Sequence, residues 1–598
     1  MADQQKKIMP IDYTHREFET IRGDLQEIVE RFYPDTFRDF SEASFGAMML
    51  DAIAYVGDQL SFYLDYNVNE AFLDTSFQYT NVVRHGRALG YKFGGRPSTY
   101  GAVAFFIMIP ATPSGLGPDA SYIPILKRGT TVSSNSGLQF VLIENIDFGK
   151  PENITVAARI DSDTGAPTHY AIKAYGNVVS GDFGFETIPV GGYVKYLRAP
   201  LTTKNIAEII SVFDSEGNQY FEVDYLAQDM VFQEISNSNY KNDNVPSILK
   251  PMLVSRKFVT EMGRDATVLQ FGSGQSGLSD AIAQPQNIAV DVFGKKYITD
   301  TSFDPSRISK NETFGIVPSN TELTIAFRTT NPQNSNVAVG GITDISNSLF
   351  EFEERPSLVE NKVQEVIQSV EATNEEPIMG SVSFPTTSEI KANIYDTFPT
   401  QNRAVTQADY ENLAYRMPLK YGSIKRCSTQ RDPNSQKRNL NMYVISEGTD
   451  GKLALCSAVI KNNLKTWIGH YRMINDTIDI LDPFIINIGV EFVIKPREGS
   501  DRYQAFNDAM AAIREHFSQP FFIGEPLYIS DIYSKLKEVN NILDVTKVKI
   551  TNKSGGLYAQ TSIDIDPNIA PDGSYLVVPK NAILEIKFPE VDIVGKVI

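Results

Sequence analysis

The segment FGAMMLDAIAYVGDQLSFYLDYNVNEAFL, residues 45–73, sets Phe45, Met49, Ile53, Val56, Leu60, Tyr63, Leu64 and Ala71 along one seam. Steps of three and four residues keep side chains on one face of a helix, which turns once every 3.6 residues. No proline interrupts the pattern, and Ser41 or Ser44 can cap its start by accepting a hydrogen bond from a free amide of the first turn. At about 1.5 Å per residue the helix would be about 45 Å long, well beyond the usual three or four turns. Upstream, Phe18, Ile21, Leu25, Ile28, Val29 and Phe32 predict a first helix that Pro34 stops. Downstream, a third helix is expected over Tyr79–Leu89, with Gly90 as a left-handed cap. Three helices in about 90 residues bury little by themselves. Their apolar faces must be covered either by the next domain or by another chain.

The whole chain has 598 residues, enough for about four domains at roughly 150 residues each. Its hydrophobic content of 42% is that of a folded protein. Lys and Arg total 55 against 73 Asp and Glu, a net charge of −18 that repels phosphate backbones and anionic lipid. Nucleic acid and membrane are therefore not expected partners. The start, MADQQKKIMP, lacks the apolar core of a secretory peptide, and the longest apolar run, GAVAFFIMIPA at 101–111, is too short to span a bilayer. These features predict a soluble, cytoplasmic chain. Cys427 and Cys456 cannot build a disulfide framework or a four-thiolate metal site, and five histidines leave little for catalysis.

From Gly101 to about 350 the pattern changes to short β-rich runs between Gly, Pro, Asn and Asp clusters. Strands are expected at Ala102–Ile109, Thr130–Ser134, Phe140–Ile143, Ile154–Ile160, Gly191–Leu197, Ile209–Phe213, Thr267–Phe271 and Leu323–Arg328, with a seam between two subdomains near 180–200. The acidic stretch EFEERPSLVENKVQEVIQSVEATNEEP at 351–377 reads as a hinge carrying one short amphipathic helix. Beyond 380, helices and strands alternate. Helices are expected at Thr406–Arg416, where Thr406 and Asp409 form a capping box, at Leu453–Ile468, at Tyr503–Phe517 and after Ser530. VTQADYENLAYR at 405–416 and YISDIYSKLKEV at 528–539 are weakly alike, and the tail IVGKVI is an edge-strand candidate. The fold class is multidomain α+β: an N-terminal long-helix segment, central β-rich domains and C-terminal α+β domains. Boundaries are expected at 1–95, 96–190, 191–350, 351–379 (hinge), 380–500 and 501–598.

Chemical motifs fail on their surroundings. Gly272, Gly274 and Gly277 spell G-x-G-x-x-G after a strand, but a dinucleotide loop needs a following helix inside a βαβ unit, and Pro285 ends the segment early. A structural turn is expected. Asp161, Asp163 and Gly165 open a calcium-like loop whose twelfth position is Ile172, and Asp564, Asp566 and Asn568 lack the central glycine, where Ile569 stands. No catalytic, cofactor or metal residue is assigned, and the chain is not expected to be an enzyme.

Two stretches carry a family resemblance. The first is GSVSFPTTSEIKANIYDTFPTQNRAVTQADYENLA at 380–414, with Gly380, Ser388, Glu389, Ile390, Pro399, Arg403, Ala404, Val405, Thr406, Asp409, Tyr410 and Glu411. The second runs from Met49 to Ile107 through the long helix and a Gly-Tyr exit. IPILKRGTTVSS at 123–134 and the FGSGQSG turn add to them, with Ser381 standing where a second glycine is usual. Together they resemble the baseplate J-like proteins, specifically the baseplate wedge subunit of contractile-tailed phages.

The resemblance implies a structural virion protein of the viral tail, made late, that joins neighbouring wedges into a ring around the tail tube and rearranges when the sheath contracts. It implies self-association as a dimer within a wedge and a ring between wedges, and contact with a sheath initiator. It implies bundling of the N-terminal helices with other wedge proteins through Phe45, Met49, Ile53, Val56, Leu60 and Leu64. Arg403, Val405, Thr406, Asp409 and Tyr410 would be structural motif residues, and assembly would take place in the host cytoplasm. The alternative is a tail-associated glycan-binding or glycan-degrading protein, since β-rich stretches with 28 tyrosines and 35 phenylalanines can line sugar grooves.

Overall fold

The computed structural model describes residues 17–33, 41, 44–93, 97–113, 116–162, 165–237, 247–263, 266–274, 314–330, 335–383, 385–433, 435, 439–448, 450–518 and 520–598. Its elements follow the expected class: helices first, sheets in the centre, mixed elements last. His15, Asp163 and Gly277 lie outside the described residues. The chain forms two compact units, one of residues 1–92 with 385–399, the other of 93–384 with 400–598.

The first unit contains α1 (Phe18–Phe32), α2 (Phe45–Glu70) and α3 (Tyr79–Ala88). Of the two candidate caps it is Ser44 that starts α2, its hydroxyl accepting from the Ala47 amide at 3.0 Å. α2 stops at Glu70, short of the expected Leu73, because that side chain turns the corner. Its carboxylate accepts from the Phe77 amide at 2.8 Å and the Asn81 side chain at 2.9 Å. α3 closes on Gly90, at φ +91°. Residues 385–399, three hundred positions later, complete this unit. Ile390 and Ile394 from the helix Thr387–Thr400 are fully buried against Val82 and Tyr91. A side chain at Gly86 would place its Cβ 2.7 Å from Ile394 Cδ1, so glycine there lets the two helices close.

In the second unit one seven-stranded sheet runs, in spatial order, through residues 342–347, 131–134, 139–142, 167–180, 100–110 and 371–373, with 154–160 also paired to 167–180. Phe105, Ile107, Phe140 and Val178 are fully buried on its inner face. The segment 351–379, expected as a hinge, is packed instead. It supplies the helix Glu360–Gln368, whose Val363 and Val366 are fully buried in this core, and the strand Glu371–Thr373. Acidic residues on its outer face gave it the composition of a linker.

A second seven-stranded sheet comprises residues 182–190, 321–329, 206–214, 219–222, 257–262, 267–271 and 198–201. It is inserted between two strands of the first, the chain passing from one sheet to the other between Ser180 and Asp182. The strand expected at Gly191–Leu197 is a turn, with Tyr196 at φ +54°; strands flank it at Asp182–Val190 and Arg198–Leu201. The C-terminal part holds two α+β layers. In one, strands 426–431, 439–447, 453–455 and 477–481 pack on helices Gln407–Tyr415 and Ala458–Gly469. In the other, strand Phe484–Pro496 pairs with 542–552, 582–585 and 593–597, beside helices Arg502–His516 and Ile529–Lys537.

Three local expectations shift. Leu453–Leu455 is a strand, and the helix begins after Ser457, which caps it. Ser530 lies inside the first turn of its helix, where Tyr528 stands at the cap without a side-chain bond. The two weakly similar segments are each a helix leading to a strand, but one strand pairs with a later neighbour and the other with an earlier one. The tail strand pairs in parallel with 490–494, so one edge of it is used within the chain.

Candidate partner interface

α2 is an apolar rod of which α1 covers one side. Gly57 approaches Ile21, and Arg22 Nε pairs with Asp51 at 2.6 Å. Along α2 only Ala47, Ala54 and Glu70 are buried. The six residues expected as a bundle face are all exposed: Phe45, Met49, Ile53, Val56, Leu60 and Leu64, with Phe45 at 74%, Leu60 at 59% and Leu64 at 66%.

Sequence reasoning found one seam; the structure exposes a second stripe that it missed, Met48, Tyr55 and Phe62. Their spacing of seven residues is the signal that could have found it. The three aspartates of α2, Asp51, Asp58 and Asp65, are also seven apart and sit on the side that faces α1. Projected at about 100° per residue, the apolar side chains from Phe62 round to Val68 sweep about 240°, and the one charge inside that arc is Glu70, the last residue of the helix. Beyond the helix end, Phe72 and Phe77 continue the exposed apolar surface. An ordinary surface helix shows a stripe little wider than about 100°, so one neighbour at α1 does not satisfy this rod.

Glu70 fixes where the rod ends. The Asn81 side chain and the Phe77 amide hold its carboxyl below the usual range, and the carbonyl of the same residue bonds to His85 Nε2 at 2.8 Å. This polar corner orients α3 on α2.

The family-like stretch at 380–414 contains two reciprocal helix caps, and they explain its polar residues. Thr386 and Glu389 form one: the Thr386 amide donates to Glu389 at 2.9 Å and the Glu389 amide donates to the Thr386 hydroxyl at 3.3 Å. Thr406 and Asp409 form the other, with Asp409 Oδ2 accepting from the Thr406 amide at 2.8 Å and the Val405 amide at 3.1 Å. Burial pushes the Asp409 carboxyl up, but those backbone donors outweigh it and hold the group below its ordinary value. Tyr410 is buried and its hydroxyl donates to Asp476 at 2.7 Å. Burial first, then that carboxylate, raises its phenol. Arg403 and Val405, by contrast, are exposed beside the helix start. Gly380 has φ +125° and lies against Ile460, while the amide of Ser381, in the place of the second glycine, donates to Asn336 at 3.0 Å. The stretch therefore divides into a buried anchor, Tyr410, a surface capping pair, Thr406 and Asp409, and two exposed side chains with no such role, Arg403 and Val405.

Among the described residues no group of three or more His, Cys, Asp or Glu could hold a metal ion. Gly272 presses on the carbonyls of Phe314 and Gly315, so acceptors and not free amides crowd that turn. Cys427 and Cys456 are buried free thiols, and burial raises both, Cys456 to about 12. No described helix is long and apolar enough to cross a membrane.

Residues 18–88, which are α1 to α3, match the family model of the bacteriophage baseplate protein N-terminal domain. No curated protein matches the chain. Solved structures that match include the cryo-EM, 6-fold symmetrised baseplate of the anti-feeding prophage, at 9% identity and a TM-score of 0.24 over 96% of this chain and 90% of that one. Another is the TssK-TssF-TssG baseplate subcomplex of the type VI secretion system, at 7% identity and a TM-score of 0.25 over 73% of this chain and 95% of that one. TM-scores of this size identify no shared fold.

Proposed function

We propose that this chain is a structural component of a contractile-tail baseplate, a J-like wedge subunit without catalytic activity. The observation that carries the reading is the exposed apolar rod α2, which lies inside the segment matching the baseplate N-terminal domain. Apolar area of this extent is withdrawn from water by docking onto other polypeptides, at roughly 25 cal/mol per Å² buried. In this reading the rod bundles with helices of neighbouring baseplate proteins, including a second copy of this chain within a wedge. The segment from Gly380 to Ile550, with the terminal strand, joins wedges into a ring and meets the sheath initiator. Arg403 and Val405 would face neighbours, and many rim charges would set specificity more than affinity.

Two measurements test this. Sedimentation of the purified chain, alone and with co-expressed baseplate proteins of the same virion, should show a heteromeric complex. Particles carrying a labelled copy should show the label at the distal end of the tail. A chain that stays monomeric in every mixture, or a label on the head or collar, refutes the reading.

A further inference from the structure

The last α+β layer is covered on one face only. Val490, Phe492 and Ile494 of strand Phe484–Pro496 enter its core with Ile550 and Ile593 from the flanking strands. Side chains alternate along a strand, so the residues between them lie on the outer face. Pairing sets Glu491 beside Lys549 and Val594, and Val493 beside Lys547 and Lys596, with Lys495 next along the strand. All of these are exposed except Val493, which is half-buried. Lys553 folds over the same face, since a Cβ on Gly489 would fall 2.8 Å from its Cε.

The lysines on this face have no ion-pair partner among the described residues. Its carboxylates are Glu491 and Asp544, and Asp544 is drawn off to Lys537 at 3.4 Å. In a chain of net charge −18 this is a local reversal of sign. Like charges gathered on one sheet face repel each other, and a carboxylate-bearing surface relieves them. The face has no aromatic ring to stack on a base and no arginine to fork onto a phosphate, so it fits an acidic protein surface better than a nucleic acid.

The same layer offers the opposite charge. Asp564, Asp566 and Asp572, on the acidic run that fails as a calcium loop, are exposed and make no ion pair among the described residues. Asp564 and Asp566 are two residues apart, as Lys547 and Lys549 are. Each copy thus carries both halves of a complementary pair that it does not join within itself.

We propose that the lysine face of one copy docks onto the Asp564–Asp572 turn of a second copy. A patch that meets a different patch on the next molecule makes a heterologous contact, which repeats around a ring or along a filament. The inference deepens the reading of this part of the chain as the part that joins wedges, and rests on it.

Sedimentation velocity of the full chain tests this in a Leu60→Ala/Leu64→Ala background, so that docking of the rod does not contribute. The chain should self-associate at about 50 mM salt, and about 500 mM should weaken that association at least tenfold. Lys547→Glu with Lys549→Glu should weaken it about tenfold at low salt, and so should Asp564→Lys with Asp566→Lys. An equimolar mixture of these two variants should recover association to within about threefold of the parent, because each reversed group then meets its opposite. A chain that is monomeric at low salt, association indifferent to salt and to the lysine substitutions, or a mixture that stays dissociated overturns the proposal. So does single-stranded DNA that binds the parent and not the lysine variant. Should a reversed variant fail to fold, Lys547→Gln with Lys549→Gln decides: a loss of about threefold at low salt supports the contact, and no loss overturns it. If this contact fails while the chain still enters complexes with co-expressed baseplate proteins, the baseplate reading stands without it; absence of every such complex is the failure of that reading itself.

Discussion

Truncating the rod at Leu60 and Leu64 separates docking from folding. Burying a leucine side chain fully is worth about 2 kcal/mol more than burying the methyl of alanine. Leu60 is 59% exposed and Leu64 66%, so docking still has roughly three-fifths of that value to recover at each. Leu60→Ala together with Leu64→Ala should therefore weaken association by about 2.5 kcal/mol, or about 70-fold in Kd. In the free chain the same carbons already face water, so stability should shift by less than about 0.5 kcal/mol and Tm by less than about 2 °C. Ile390→Ala is the counter-control. That side chain is fully buried between α3 and its own helix, and its loss should cost about 2–5 kcal/mol. The assay is sedimentation velocity with co-expressed baseplate proteins across a concentration series, paired with thermal unfolding. A double variant that binds like the parent, or one whose Tm falls as far as that of Ile390→Ala, refutes the reasoning about this face.

Asp409→Asn should lower stability at pH 7 by about 0.5–1 kcal/mol. The folded carboxyl titrates below its unfolded value of about 3.9, so its contribution is complete above that value and is lost as pH falls through the folded one; urea midpoints of parent and variant should converge below about pH 4. Gly380→Ala adds a Cβ 2.6 Å from Ile460 Cδ1 and 3.1 Å from the Ser98 carbonyl in a left-handed residue, and should cost at least about 1 kcal/mol in the same titration. Cys427 and Cys456, buried with raised thiols, should resist iodoacetamide at pH 8 in the native chain and react fully in urea; rapid native labelling, read by mass spectrometry, contradicts their placement.

What the sequence disclosed was local. Phe18 to Phe32, a serine cap at 41 or 44 and Gly90 each announce themselves within one or two helical turns, because periodicity and capping are properties of neighbouring residues. Strands Ile154–Ile160 and Thr267–Phe271 were bounded correctly for the same reason: β-branched residues between turn formers. Sheet completion was hidden. Residues 342–347 finish a sheet begun at 100–110, across an inserted domain, and no local pattern names a partner more than 200 positions away. The helix at 360–368 was legible from its valine spacing, but its segment reads as a hinge because composition averages over both faces, whereas the burial of Val363 and Val366 makes it part of the core. In the candidate interface the first stripe was legible from steps of three and four. The second, Met48, Tyr55 and Phe62, was not, since a single seam is the ordinary pattern and a rod that is apolar most of the way round is not.

The packing of the first unit constrains how its role can be examined. α3 has a core only because Ile390 and Ile394 arrive from far along the chain. Deleting the N-terminal 95 residues would therefore do two things at once: it removes the rod, and it strips the cover from two fully buried isoleucines in the part that remains. A loss of assembly in that deletion could come from newly exposed apolar surface as readily as from a missing docking face. Substitutions confined to Met48, Leu60, Phe62 and Leu64 leave the α3 core whole and change only what is already in water. They separate the two causes because folding of this unit depends on the residues around Ile390, whereas docking depends on the opposite property, side chains that the folded chain itself leaves uncovered.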